Sequence, residues 1–179
     1  MTIDGYGQIS PVFSFFLDED LGDEFLPTRS EDNATGWDVR CAERDGIILK
    51  PFQKALINLG FKAIIPEGWW AELKPRSSTF AKKNLHCLYG TIDQNYTNNW
   101  KLAVQWIPSA NEGDFRHKDS FFSYANNQEM SISFGERIAQ IIPVRRQKMV
   151  VSKINESFFK AKLAIINGGR DGFGSSGDK

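Results

Sequence analysis

No stretch of this chain keeps a 3.6-residue apolar period through three turns, and that constrains its fold more than any other feature. Short apolar runs, rich in β-branched and aromatic residues, recur instead between Gly, Pro, Asn and Asp. They cover residues 12–17, 36–41, 46–49, 54–61, 69–74, 101–107, 130–133 and 137–143. Lys101, Leu102, Ala103, Val104, Gln105 and Trp106 have the mixed apolar pattern of a half-buried strand. Pro66-Glu67-Gly68 and Asn98-Asn99 supply turn chemistry. The pattern predicts an all-β domain, a barrel or sandwich with short connections.

Two regions break the rhythm. Residues 109–129 are polar, aromatic-spotted and irregular, which predicts a surface insertion between two strands. Residues 167–179 carry five glycines in thirteen positions and little that could build a core. The expected organisation is one β domain over 1–166 and a flexible C-terminal arm over 167–179, either solvent-exposed padding or an arm that orders on a ligand.

Charge narrows the partners. Lys plus Arg equals Asp plus Glu at 22 each, so there is no broad positive field to capture nucleic acid or an anionic membrane. A small anionic ligand needs only a few local donors. Cys41 and Cys87 lack CxxC spacing, which predicts free thiols in a reducing compartment. His86 and His117 stand alone, so no zinc site is visible. No apolar run approaches the ~18 residues of a membrane span, and the expectation is a soluble, cytoplasmic protein.

Several segments carry polar groups that chemistry can use. In the arm, Gly168 to Gly177 combines open backbone with Arg170, Phe173, Ser175 and Ser176. Glycine lets N–H groups approach phosphate oxygens, Arg and Ser donate to them, and a Phe can cover a base; alone, the stretch reads equally as a linker. Lys74-Pro75-Arg76-Ser77-Ser78 follows a strand and gathers a guanidinium, two hydroxyls and main-chain donors, the groups that bind phosphate, though a solvated strand end has the same composition. In Gly90-Thr91-Ile92-Asp93-Gln94-Asn95-Tyr96, Asp93 is preceded by apolar Leu88, Tyr89 and Ile92. A carboxylate at a pocket mouth can deprotonate water for attack on phosphorus, whereas one in a hairpin turn is ordinary surface. Asp38, inside a strand, asks for a partner. Gln140 is a weak signal alone, and Arg137 fits a structural ion pair as well as a ligand contact.

Taken in order, Ala34 to Val39, Pro75 to Ser78, Gly90 to Tyr96, Gly135 to Gln140 and Gly172 to Gly177 resemble the five motifs of the homotrimeric dUTPase family. The likeness runs from about Leu26 to Gly177, and Ile65-Pro66-Glu67-Gly68-Trp69-Trp70 is similar to the family's approach to its second motif. It implies a distorted jelly-roll β-barrel and a homotrimer with active sites between subunits. The implied reaction is Mg2+-dependent hydrolysis of dUTP to dUMP and pyrophosphate. The resemblance implies that Asp93 holds the attacking water and that Tyr96 stacks on the deoxyribose. The main chain of Gly90, Thr91 and Ile92, with the facing strand near Lys101, would read uracil. Arg76, Ser77, Ser78 and Gln140 would hold phosphates, and Asp38 would reach Mg2+ only through water. Phe173 would cover the base, while Gly174, Ser175 and Ser176 would meet the terminal phosphates.

Two other functions compete with this one. A deaminase acting on dCTP shares the fold but needs a glutamate on the strand after the Asp93 hairpin, and residues 101–107 contain no carboxylate. A nucleotide-binding regulatory protein would act through a partner, for which the 109–129 insertion offers Phe115, Phe121, Phe122 and Tyr124 as contacts. The fifth segment also departs from the family, which has an Arg five residues before the Phe where this chain has Gly168; Arg170 stands three before. The hypothesis is that Arg170 takes over the terminal-phosphate contact on its glycine-flanked arm. Arg170→Ala is then expected to lower kcat/KM for dUTP by about tenfold or more, and unchanged steady-state kinetics would refute it.

Overall fold

The structure, a computed structural model, describes residues 2–3, 9–108 and 128–165. The insertion and the glycine-rich arm expected from the sequence therefore lie outside the described residues, apart from Gln128 and Glu129. The chain separates into two compact units, Met1–Arg146 and Gln147–Lys179.

The first unit is mostly antiparallel β. Its strands are β1 (Thr2–Ile3), β2 (Ile9–Ser10), β3 (Ser14–Leu17), β4 (Trp37–Arg40), β5 (Ile47–Leu49), β6 (Lys54–Asn58) and β7 (Phe61–Ile64). After these come β8 (Trp69–Pro75), β9 (Leu85–Cys87), β10 (Gly90–Ile92), β11 (Lys101–Trp106), β12 (Met130–Ile132) and β13 (Arg137–Arg145). One sheet has the order β10-β8-β13-β4 and a second the order β6-β11-β9, while β12-β5, β3-β7 and β1-β2 form pairs. Among the described residues the strands thus form separate sheets rather than one closed hydrogen-bonded ring, which corrects the simplest form of the barrel expectation.

Alternation builds the core. On β11, Leu102, Val104 and Trp106 are buried while Lys101 is exposed; on β7, Phe61 and Ala63 are buried while Lys62 and Ile64 face outward. Trp100 and Phe61, both fully buried, pack with ring centroids 5.4 Å apart. Each such side chain contributes about 1.5–3 kcal/mol of burial.

The sequence expectations shift at three places. The run at 54–61 breaks into β6 and β7 because Gly60 adopts φ +77°, and Asp18 donates its amide to the Gly60 carbonyl at 2.8 Å. β13 continues through Pro143 to Arg145, since β4 pairs only as far as Ile141, and beyond it a missing N–H is tolerated on the open edge. The all-β expectation is also too strict. α1 (Ser77–Lys83) follows β8 directly and ends at Asn84, which is left-handed at φ 50° and donates its amide to the Phe80 carbonyl. Thr79 pins α1 to β13 through its buried hydroxyl, which donates to the Ile138 carbonyl at 2.7 Å. In the second unit, α2 (Glu156–Ile165) begins at Asn155, whose side-chain oxygen accepts the Phe158 amide at 2.9 Å.

A Cβ on Gly60 would come within 2.7 Å of the Ala42 Cβ, at a backbone conformation that L-residues avoid. Gly60→Ala is expected to cost about 2–4 kcal/mol, read as a lower urea midpoint with an unchanged slope.

Candidate functional site

β8 is the strand on which the site is organised. β13 pairs along one edge and β10 along the other, with Ile141 and Gly90 both opposite Leu73. Leu73 and Ala71 point into the core, so Glu72 and Lys74 share the opposite face, where they form an ion pair.

The first group of sequence-predicted residues meets at the C-terminal end of β8. The register places Asp38 opposite Gln140, and Gln140 opposite Lys74, which sets the three in one row on a single face. The Asp38 backbone is held on its other edge by Thr28, with Asp38 N donating to the Thr28 carbonyl at 2.7 Å. Its carboxylate lies between two guanidiniums: Arg76 Nε is 3.0 Å from Oδ1 and Arg137 Nη1 is 3.2 Å from Oδ2. A register shift between Arg137 and Ala139 accompanies that approach. Asp38 is thus the partnered strand carboxylate the sequence asked for, and Arg137 is an ion-pairing residue. Two guanidiniums against one carboxylate leave a net positive end, as a polyphosphate requires.

Ser77 and Ser78 sit in the first turn of α1 rather than on a strand end, which corrects that expectation. First-turn amides have no intrahelical carbonyl to meet, so their N–H groups face the same end of β8 as Arg76. Gln140 Nε2 donates to the Pro75 carbonyl at 3.4 Å, and a Cβ on Gly36 would stand 2.4 Å from Gln140 Oε1. A side chain at 36 would therefore displace the Gln140 amide from its present place, a constraint that the sequence alone does not display.

The second group lies at the other end of β8. Gly90, Thr91 and Ile92 form β10, a strand that the sequence pattern does not announce. The hairpin of β9 and β11 holds as far as the Leu88 amide, which donates to the Ala103 carbonyl at 2.9 Å. The chain then changes partner: β10 pairs with β8, while Lys101 pairs with Asn58 of β6 and Trp100 exchanges hydrogen bonds with Leu59 and Phe61. A fork opens between Gly90–Ile92 and the strand entering at Lys101. Asp93 and Tyr96 stand at its tip in a turn closed by the Tyr96 amide on the Asp93 carbonyl at 3.0 Å. The Tyr96 hydroxyl donates to the Asn99 carbonyl at 3.2 Å. Asp93 is exposed and lines a pocket of about 650 Å³ together with Trp69, Trp70, Thr91, Gln94 and Arg146.

The two groups do not meet within one chain. Ile92 lies opposite Ala71, so Asp93 is level with Trp70, six residues from Arg76 along β8. At ~3.3 Å per residue that is about 20 Å. Arg170, Phe173, Gly174, Ser175 and Ser176 lie outside the described residues.

A larger hollow of about 810 Å³ lies over the sheet β6-β11-β9, lined by residues such as Leu56, Leu88 and Ala103, with no carboxylate or guanidinium. It lacks the groups hydrolysis needs. No group of three His, Cys, Asp or Glu among the described residues could hold a metal ion. Both Asp38 oxygens already accept from guanidiniums, a setting that suits the outer hydration shell of a divalent cation better than direct ligation.

The family model for dUTPase matches residues 24–112. A deoxyuridine 5'-triphosphate nucleotidohydrolase of Hydrogenobaculum sp. is 31% identical, over 88% of this chain and 93% of its own length. A dUTPase of Staphylococcus bacteriophage 80alpha, solved with dUpNHpp, superposes with a TM-score of 0.69 at 24% identity, covering 94% of this chain and all of that one. A mutant dUTPase from phage phi11 of S. aureus, described for its coordination of a structural Mg(II) ion, gives 0.64 at 21% identity, covering 81% and 97%. The two phage structures share the fold. With the bacterial relative matched over most of both chains, the chain belongs to the dUTPase family.

Both cysteines are free. Burial pushes the Cys87 thiol up to about 11 and raises Cys41 as well, the backbone contact to Glu43 opposing it only in part. The neutral thiol is the form the fold favours, so this contribution is whole below the unfolded pKa near 9 and is lost as pH climbs through about 11. Iodoacetamide at pH 8 is expected to label both thiols slowly in the folded protein and rapidly in urea, with urea stability falling above about pH 9. Equal labelling rates in the two states would contradict this assignment.

Proposed function

We propose that the chain hydrolyses dUTP to dUMP and pyrophosphate in sites that combine Asp93 of one subunit with Arg76 of another. The single observation behind this reading is the span of β8. It sets the backbones of Asp93 and Arg76 about 20 Å apart along the strand, a separation better bridged between subunits than within one chain. A homotrimer of jelly-roll barrels, each contributing its fork to a neighbour's phosphate end, resolves that separation and agrees with family membership.

The chemistry follows from the residues. Asp93 accepts a proton from water while the water oxygen bonds to the α-phosphorus. The bond from that phosphorus to the bridging oxygen breaks, and pyrophosphate leaves with the electron pair. Arg76, the amides and hydroxyls of Ser77 and Ser78, and Gln140 hold the phosphates as charge moves onto the leaving group. Asp38 would face the hydration shell of Mg2+, which, when bound with the substrate, would supply neutralisation of the phosphate charge.

Selectivity belongs to the fork. The main chain of Gly90, Thr91 and Ile92 and of the strand at Lys101 matches the edge of uracil, and a cytosine would leave those groups unpaired. The Tyr96 ring stacks on the deoxyribose where a 2′-hydroxyl would stand. The arm 167–179, beyond the 1–166 domain, closes with Phe173 over the base and Arg170, Gly174, Ser175 and Ser176 at the terminal phosphates. The 109–129 insertion is the place for a protein partner, and the enzyme works in the cytoplasm.

Asp93→Asn is expected to lower pyrophosphate release from dUTP by a factor of about 10²–10⁴. The sharper measurement mixes two inactive chains. Asp93→Asn and Arg76→Ala, co-expressed and purified together, should recover activity from about one site in four if each site draws the two residues from different subunits. Mixed oligomers with no recovery would place both residues of each site on one chain.

A further inference from the structure

We propose that Gln94 is the positioning residue that holds Asp93 for the reaction, an inference that rests on Asp93 being the base. The last rung of β10 on β8 is Ile92 opposite Ala71, and the chain then leaves the sheet at the residue meant to do chemistry. From Asp93 to Asn98 every side chain except that of Gln94 is exposed. Gln94 turns back, and its Oε1 accepts the Gly68 amide at 3.4 Å. The bond is long, and it connects the turn to a fixed point.

Two hydrogen bonds and one backbone conformation fix that point. Arg146 donates its amide to the Gly68 carbonyl at 2.7 Å, tying Gly68 to the end of β13. Trp69 donates to the Pro66 carbonyl at 3.1 Å and closes the turn before β8. Gly68 itself sits at φ +79°, a conformation that glycine holds without strain. Gln94 thus fastens the Asp93 turn to the junction of β8 and β13 beyond the final rung, and Asp93, Gln94 and Arg146 line the same pocket. Asp93 and Tyr96 have no other side-chain tether to β8 among the hydrogen bonds and ion pairs of the described residues. Tyr96 and Asn99 steady the far side of the turn, through the Tyr96 hydroxyl on the Asn99 carbonyl and the Asn99 amide on Asp18. Without Gln94 the Asp93 side would lose its side-chain bond to this junction.

Two substitutions separate the oxygen from the packing. Gln94→Met keeps length and loses the acceptor, while Gln94→Glu keeps an oxygen in the same place. In the full-length protein Gln94→Met should lower kcat for dUTP on the order of tenfold, the scale of a small misplacement of a reacting group. KM should stay within about twofold and Gln94→Glu should keep kcat within about threefold of the parent. The Gly68 amide should exchange with solvent faster in Gln94→Met than in Gln94→Glu, with the melting temperature unchanged in both. Parent-like kcat in Gln94→Met, an equal loss in both variants, or equal Gly68 exchange would each overturn the inference. Asp93→Asn, assayed alongside, keeps the two readings apart. If it is inactive while Gln94→Met is parent-like, only the positioning role fails; if it hydrolyses dUTP at the parent rate, the base assignment fails.

Discussion

The pairing of β8 along both of its edges is the constraint from which the rest of the site follows. β13 and β10 take its main-chain groups, and Ala71 and Leu73 commit one of its faces to the core. What remains free is the opposite face and the two ends. The polar residues collect there: Arg76 and α1 at one end, and the junction with Gly68 and Trp70, level with Asp93, at the other. A strand so fully engaged cannot bend to bring its ends together, so its length becomes a property of the enzyme.

Electrostatics at the phosphate end obey a similar economy. Asp38 is largely buried, and a carboxylate in that position would be costly without counter-charges. Arg76 and Arg137 supply them from two different strand ends, and the trio keeps an excess positive charge directed outward. On the proposed reading Arg76 is oriented before the anion arrives, which removes part of the ordering cost of binding, and the occupied carboxylate would meet Mg2+ through water.

Much of this was legible in the sequence because strands with one buried face announce themselves by alternation. β8 and β11 were readable for that reason, and Asp38 stood out because a charged residue within such a pattern needs a partner. Resemblance to the family then gave Asp93, Arg76, Ser77, Ser78 and Gln140 a shared purpose that no single segment carried. Short elements were legible only in part. β5 and β12, of three residues each, were read. β9 and β10, of the same length, share one run from Leu85 to Ile92 with only Gly90 to divide it, and α1 makes barely two turns. Asn84, with Lys82 and Lys83 before it, was a helix-ending signal that could have revealed α1. Nothing local could show that β10 abandons β11 for β8, that Gly36 makes room for Gln140, or that Gln94 reaches Gly68. Those facts are set by residues distant in sequence.

The fork between β10 and β11 has a consequence for how such a protein can change over generations. On the proposed reading its base-facing surface is made of amides and carbonyls, which every residue except proline supplies alike. Point substitutions there alter side chains but leave the pattern of donors and acceptors in place, so base preference resists drift. On the same proposed reading the sugar is judged by one ring, that of Tyr96, and a single codon change can remove it. Discrimination against ribonucleotides is then the more easily lost of the two selectivities, and lineages under pressure to accept new substrates would be expected to lose it first.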